Sequence, residues 1–232
     1  MGLFRFKQFS VNDDHSTMKV GTDGVLLGAW CSIHNARKML DIGTGCGVIA
    51  LMLAQRSHPE AMVDAIELNG EAAAQAKENV QHSPWPGKVN VIHGRVQDLQ
   101  PEEPYDLVVC NPPFFSQSLL PPDSGRQSAR HDLELPHHEL IEAVHRLLSE
   151  SGAFHIILPV TEAGQFIHAA AAWQLYPTRV TRFYSRRTKP QERTLMTFTR
   201  IPQTPEETEL VLYANGSEKT SDYLRLTGDF YL

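Results

Sequence analysis

Three cysteines in 232 residues, Cys31, Cys46 and Cys110, cannot all pair, and no CxxC is present. A disulfide framework and a cysteine-rich zinc site are therefore excluded, and the chain reads as one built for the reducing cytoplasm. No apolar run approaches the roughly 18 residues a membrane span requires; stretches such as Val25–Cys31 are core-sized. The start, Met1-Gly2-Leu3-Phe4-Arg5-Phe6, lacks the apolar block of a secretory leader. Among the 11 histidines there is no HExxH and no pair at i, i+4, and the adjacent His137 and His138 diverge on a helix, so no metal is expected. GxSxG is also missing, which removes support for a hydrolase. Net charge is 21 − 27 = −6, unlike a generic nucleic-acid binder.

What is present fits a folded chain: 41% hydrophobic and 21% charged residues, enough for one large domain with an extension. Residues 1–35 read as an N-terminal extension, with a short strand around Phe4, Phe6 and Val11. A helix over Asp23–Trp30 follows, capped by Thr22 or Asp23. A β/α alternation occupies 36–232. Strands are expected at Lys38–Ile42, Met62–Glu67, Val89–His93, Tyr105–Cys110 and Phe154–Leu158. Helices are expected at Gly47–Gln55, Glu71–Val80, Leu140–Leu148 (closed by Gly152) and Thr161–Trp173. Strands without intervening helices follow around Arg179–Tyr184, Thr194–Thr199 and Glu209–Tyr213. The pattern implies a doubly wound, mostly parallel sheet with an antiparallel edge strand.

Leu40-Asp41-Ile42-Gly43-Thr44-Gly45-Cys46-Gly47 joins the first strand to the first helix of that alternation. Gly43, Gly45 and Gly47 permit a tight turn and close approach of a ligand to the backbone. A dinucleotide fingerprint needs a small residue at position 48, where Val48 stands, so a pyrophosphate site and an oxidoreductase are disfavoured. Asp41 fits beside a cationic amino group better than beside phosphate. Glu67, 26 positions further at the end of the second strand, suits the two hydroxyls of a ribose. Asp98, after the third strand, is placed to receive an adenine amino proton, as is the backbone near Val96. Together these describe a pocket for S-adenosylmethionine.

Cys110-Asn111-Pro112-Pro113-Phe114-Phe115 follows the fourth strand, at the switch point where open sheets bind ligands. The prolines stiffen the backbone and remove two N–H donors. The Asn111 side-chain oxygen and the Pro112 carbonyl can each accept one N–H of a planar amine, while Phe114 stacks on its ring. The leaving group is good, so positioning can carry the rate without a strong base. Pro113, Phe115, Arg126 and Arg130 complete the expected acceptor side, the two arginines within an aperiodic stretch Phe115–Leu135. The same chemistry would serve guanine N2 in ribosomal RNA or a glutamine side-chain amide, and a catalytically silent RNA-binding module is a further alternative. Basic residues crowd between Arg179 and Arg200: seven against one acid, Glu192, or +6. They form either a solvated face or an RNA-binding one.

The glycine turn, Glu67, Asp98 and Asn111–Phe114 resemble class I amino-group methyltransferases. The block Met18-Lys19-Val20-Gly21-Thr22-Asp23-Gly24-Val25-Leu26-Leu27-Gly28-Ala29-Trp30 and the ending Asp229-Phe230-Tyr231-Leu232 extend the likeness. Over nearly the whole chain the sequence is similar to bacterial valine-tRNA adenine-N6 methyltransferases. The resemblance implies a Rossmann-like fold with a seven-stranded sheet, S-adenosylmethionine as cofactor, and the adenine 3′ of the anticodon as acceptor. It also implies that Lys19, Thr22 and Asp23 help close the donor pocket. The expected working form is a cytoplasmic monomer that binds a tRNA anticodon stem-loop and no membrane.

Overall fold

A computed structural model describes residues 2–16, 19–113 and 135–232. A hairpin of β1 (Leu3–Arg5) and β2 (Ser10–Asn12) opens the chain, followed by α1 (Thr22–Trp30). Then come β3 (Lys38–Ile42), α2 (Val48–Arg56), β4 (Met62–Glu67), α3 (Gly70–Gln81), β5 (Val89–His93), a 3-10 turn (Val96–Asp98) and β6 (Tyr105–Cys110). The second half contains α4 (His137–Leu147), β7 (Leu148–Pro159), α5 (Val160–Ala171), β8 (Tyr176–Arg186), β9 (Arg193–Thr199), β10 (Glu206–Tyr213) and α6 (Ser221–Thr227).

β3 to β10 form one sheet in the order β10-β8-β9-β7-β6-β3-β4-β5, and all neighbours are parallel except the two pairs that include β9. Two apolar cores lie on its faces. One, holding Met39 and Ala65, gathers α1, α2, α3, Tyr223 of α6 and the aromatic residues of the N-terminal hairpin. The other, holding Leu40 and Ile42, gathers α4 and α5. Side-chain alternation along β3 divides its residues between these cores.

Several expectations are corrected. The sheet has eight strands, and the antiparallel strand β9 is interior, between β7 and β8. The crossover through α5 carries β8 past one strand position, and the hairpin return drops β9 into that gap. Its run Thr194-Leu195-Met196-Thr197-Phe198 is buried throughout, as a strand covered on both sides demands. The edge on that side belongs to β10, whose Glu206, Glu207 and Glu209 supply the charges that blunt an exposed edge, and β5 forms the other edge. Gly152 does not close α4, because the chain enters β7 directly at Leu148 and Gly152 lies inside that strand. Gly21, not Thr22 or Asp23, is the N-cap of α1, with no side-chain cap bond. Helix α6, capped by the Thr220 hydroxyl accepting from the Tyr223 N–H (3.2 Å), is too short to show a period.

Candidate active site

Strand register brings the expected chemistry together. Ile42 of β3 lies opposite Cys110 of β6 on one side and Ile66 of β4 on the other. The residues that follow these three, Gly43, Asn111 and Glu67, all line one cleft of about 540 Å³ at the carboxyl ends of the strands. The chain runs from β3 outward through β4 and β5, then returns to β6 on the other side, so the cleft is at the topological switch point.

The turn after β3 is held by amides of Gly43 and Thr44 donating to the Ile66 carbonyl (2.9 and 3.1 Å). Gly43, Gly45 and Gly47 have φ of 69°, 57° and 86°, a region that strains other residues. A Cβ added at Gly43 would meet nothing within 4 Å, so this backbone faces open space and a ligand can approach it. Glu67 Oε2 accepts from the Gly45 N–H (2.9 Å) and Oε1 from the Asn69 N–H (2.8 Å). A carboxylate retains further lone pairs beyond these two, which fits ribose hydroxyls as donors.

Asp41 and Asp98 stand elsewhere than expected. Asp41 is 1% exposed and is not on the cleft wall. Its Oδ2 accepts from the Thr44 hydroxyl (2.5 Å) and the Ala50 N–H (3.2 Å), bracing the turn and the first turn of α2 from beneath. Alternation places it with Met39 on the α2 face, turned from the ligand side. Burial pushes its carboxyl up to about 7, against the lowering effect of those two hydrogen bonds. Asp98 is exposed and also off the wall; Gly94, Arg95, Val96 and Gln97 line the cleft there instead. As the last residue of a single 3-10 turn, Asp98 is carried away from the cleft.

Asn111 is on the wall, and its Oδ1 is buried without a hydrogen-bond partner among the described residues. A buried acceptor in that state is costly unless a ligand supplies a donor. Pro112 and Pro113 line the cleft beside it. Phe114, Phe115, Arg126 and Arg130 lie outside the described residues. Cys46 and Cys110 also face the cleft; burial raises the Cys46 thiol to about 11 and the Cys110 thiol well above its ordinary range. Neither is a thiolate nucleophile near neutral pH.

Lys19, Thr22 and Asp23 all line the cleft, but two are engaged with protein. Lys19 Nζ donates to the Asp13 and Asp14 carbonyls (2.6 and 3.2 Å). Asp23 Oδ2 accepts from Arg193 Nε at 2.8 Å. Sequence reasoning missed two buried polar residues of α3. Asn79 accepts from the Asn12 N–H (2.9 Å) and donates to the carbonyls of Asn12 (2.7 Å) and Cys46 (2.8 Å). Gln75 Oε1 accepts from the His15 N–H (3.0 Å). These bonds tie the segment after β2 to the glycine turn, where Ser16 Oγ lies 3.1 Å from the position of a Cβ on Gly45. The available signal was two amides at i, i+4 on the face of α3 that also carries Ala72, Ala73 and Ala76.

The two adjacent histidines open α4, His138 exposed and His137 within 3.6 Å of Glu162. Among the described residues, no group of three or more His, Cys, Asp or Glu is arranged to hold a metal. Nor is any described helix long and apolar enough to cross a membrane.

A doubly wound sheet with a glycine turn, an acid at the next strand end and Asn-Pro-Pro across the switch point defines a class I S-adenosylmethionine-dependent methyltransferase fold. Solved structures share it. One is a predicted O-methyltransferase from Agrobacterium tumefaciens, with TM-score 0.68 and 16% identity over 90% of this chain and 96% of that one. Another is the glycopeptide N-methyltransferase MtfA complexed with S-adenosyl-L-methionine, at 0.58 and 12% over 81% and 91%. Residues 16–163 match the methyltransferase small domain family. Over 99% of both chains the sequence is 43% identical to the tRNA1(Val) (adenine(37)-N6)-methyltransferase of Flavobacterium psychrophilum. It is 42% identical to the protein of that name from Aeromonas salmonicida, over 99% of this chain and 97% of the other. The chain belongs to the tRNA1(Val) adenine-N6-methyltransferase family.

Proposed function

We propose that the protein transfers a methyl group from S-adenosylmethionine to the exocyclic N6 amine of the adenine 3′ of the anticodon in tRNA(Val). The observation that carries this reading is the side-by-side placement of the Gly43 backbone, the Glu67 carboxylate and the Asn111 oxygen, which has no partner among the described residues. Gly43, Gly45, Gly47 and Glu67 would hold the donor, which supplies an electrophilic methyl carbon on a positively charged sulfur. Asn111 Oδ1 accepts one N–H of the amine and the Pro112 carbonyl the other, aiming the nitrogen lone pair across the cleft. Phe114 stacks on the base, Pro113 and Phe115 border it, and Arg126 and Arg130 meet its phosphates. An adenine in a loop leaves its stack at a cost of only a few kcal/mol, which suits an anticodon loop.

Residues 1–35 are proposed as an extension that closes the donor side of the 36–232 domain. In support, Ser16 and Lys19 line the cleft. The working form is proposed as a monomer, and the three buried free thiols support a cytoplasmic setting. Incubation with labelled donor and total tRNA from a strain lacking the enzyme tests the assignment. N6-methyladenosine in one tRNA species is expected; label confined to protein or ribosomal RNA would overturn it.

A further inference from the structure

The cations between Arg179 and Arg200 fall into two groups in the structure. Those within the strands, and Arg200 just after β9, are engaged by other groups of the protein. The Arg179 guanidinium lies 4.2 Å from the ring centroid of Trp30, and Arg182 pairs with Glu207. Arg200 donates to the carbonyls of His145 and Leu148 (2.5 and 3.0 Å). The second group is on the tight turn between β8 and β9, closed by the Lys189 N–H donating to the Arg186 carbonyl (3.0 Å). Arg187 has 81% of its side chain exposed, and its distance to Glu209 is 4.0 Å, the weak limit of an ion pair. Lys189 is exposed. Ser185 before this turn and Glu192 and Arg193 after it line the cleft.

We propose that the β8–β9 turn, through Arg187 and Lys189, is a contact surface for the phosphate backbone of the RNA acceptor. The inference rests on the function proposed above and adds to it the place where the polyanion crosses the protein. A nucleic acid carries a phosphate at every nucleotide, so those flanking a base seated in the cleft must pass its rim. An overall charge of −6 repels RNA, and binding therefore depends on a local concentration of cations. From Ser185 to Arg193 there are four cations against Glu192 alone; Arg193 is paired with Asp23 and the Arg186 guanidinium lies 5.0 Å from the Tyr213 ring centroid, which leaves Arg187 and Lys189 as the exposed cations of the turn. A turn at the cleft rim can hold that charge toward the ligand without the desolvation that burial in the strands would impose.

The test compares tRNA binding over a salt series for the wild type and the double variant Arg187→Ser/Lys189→Ser. Arg182→Gln serves as a control in the strand body, and the conservative Arg187→Lys as a rescue. Removing one cation from a phosphate should reduce the slope of log K against log salt by about 0.7–0.9, so the double variant should fall short of the wild-type slope by about 1.5. Its low-salt affinity should fall about tenfold or more. Arg182→Gln and Arg187→Lys should keep the wild-type slope, and donor affinity should be unchanged in all, which also reports correct folding. If the wild type methylates tRNA while the double variant keeps its slope, the surface is refuted and the function stands. If the wild type neither binds nor methylates tRNA, the function itself fails and the surface with it.

Discussion

Asp23 in the first turn of α1 and Arg193 at the start of β9, 170 positions apart in the chain, form an ion pair at 2.8 Å on the wall of the cleft. Both side chains are largely buried, at 21% and 29% exposure, so this pair is not a screened surface contact. A Cβ placed on the neighbouring Gly24 would lie 3.7 Å from the Asn111 amide nitrogen. The pair therefore pins the turn of α1 that abuts Asn111. Asp23→Asn should lower kcat by about 10- to 100-fold, the scale of a misplaced reacting group, with donor affinity little changed. Exchanging the charges, Asp23→Arg with Arg193→Asp, should recover part of the loss. A primary loss in donor affinity would instead make Asp23 part of the donor pocket.

Asn79 should behave in the opposite manner. Its amide makes three hydrogen bonds in a position only 6% exposed, and two of the three partners belong to Asn12, the third to the glycine turn. Asn79→Ala leaves the buried Cys46 carbonyl and the partly buried Asn12 groups unpaired, at a cost of about 2–3 kcal/mol by denaturant unfolding. Donor affinity, read by equilibrium titration, should fall with it, since the turn and the segment covering it lose their common tether. If unfolding changes while donor affinity does not, Asn79 is structural only.

Much of this site is legible in the sequence because buried parallel strands are written as apolar runs with sharp ends. Leu107-Val108-Val109 and Met39-Leu40 mark β6 and β3, and once their order is known the residues after them converge. Glu67 and Asn111 are found in this way. Asp41 is misplaced when its proximity to the glycine turn is weighed above the two-residue alternation, which points it at α2 with Met39. The interior position of β9 is a consequence of the α5 crossover, which no local pattern encodes, although its five consecutive buried residues fit cover on both sides. Asn79 and Gln75 look like ordinary polar residues of a surface helix. Their partners are main-chain groups of a distant segment, which side-chain spacing cannot reveal.

The carboxyl of Asp41 supplies a pH dependence whose sign follows from its raised value. Burial holds it at about 7 in the folded protein, against an ordinary value of 3.8. Between these values the unfolded chain has released its proton and the folded chain retains it, so stability decreases as pH rises from about 4 through 7 and is level above. Asp41→Asn removes this ionisation while its amide oxygen can still accept from Thr44 and Ala50. The variant should therefore gain stability relative to the wild type across that window, by a few kcal/mol at most. Thermal unfolding from pH 4 to 8 measures it; a constant difference between the two proteins would show that Asp41 does not titrate in this range.

Asn111 gives the sharpest separation of binding from turnover. Its buried Oδ1, with no partner among the described residues, stabilises nothing in the free protein that the structure records, so truncating it should cost little stability. In the occupied cleft the same oxygen would accept a proton-bearing nitrogen and fix the lone-pair direction, an effect that exists only when acceptor and donor are both present. Asn111→Ala should then reduce kcat by two or more orders of magnitude while the donor dissociation constant moves less than about threefold. Asn111→Asp separates geometry from charge, because a carboxylate can still accept the N–H but places a negative charge in the cleft. Single-turnover rates and donor titrations on both variants decide between the roles: a large loss of donor affinity in Asn111→Ala would assign the segment to the cofactor pocket and leave the amine without its acceptor.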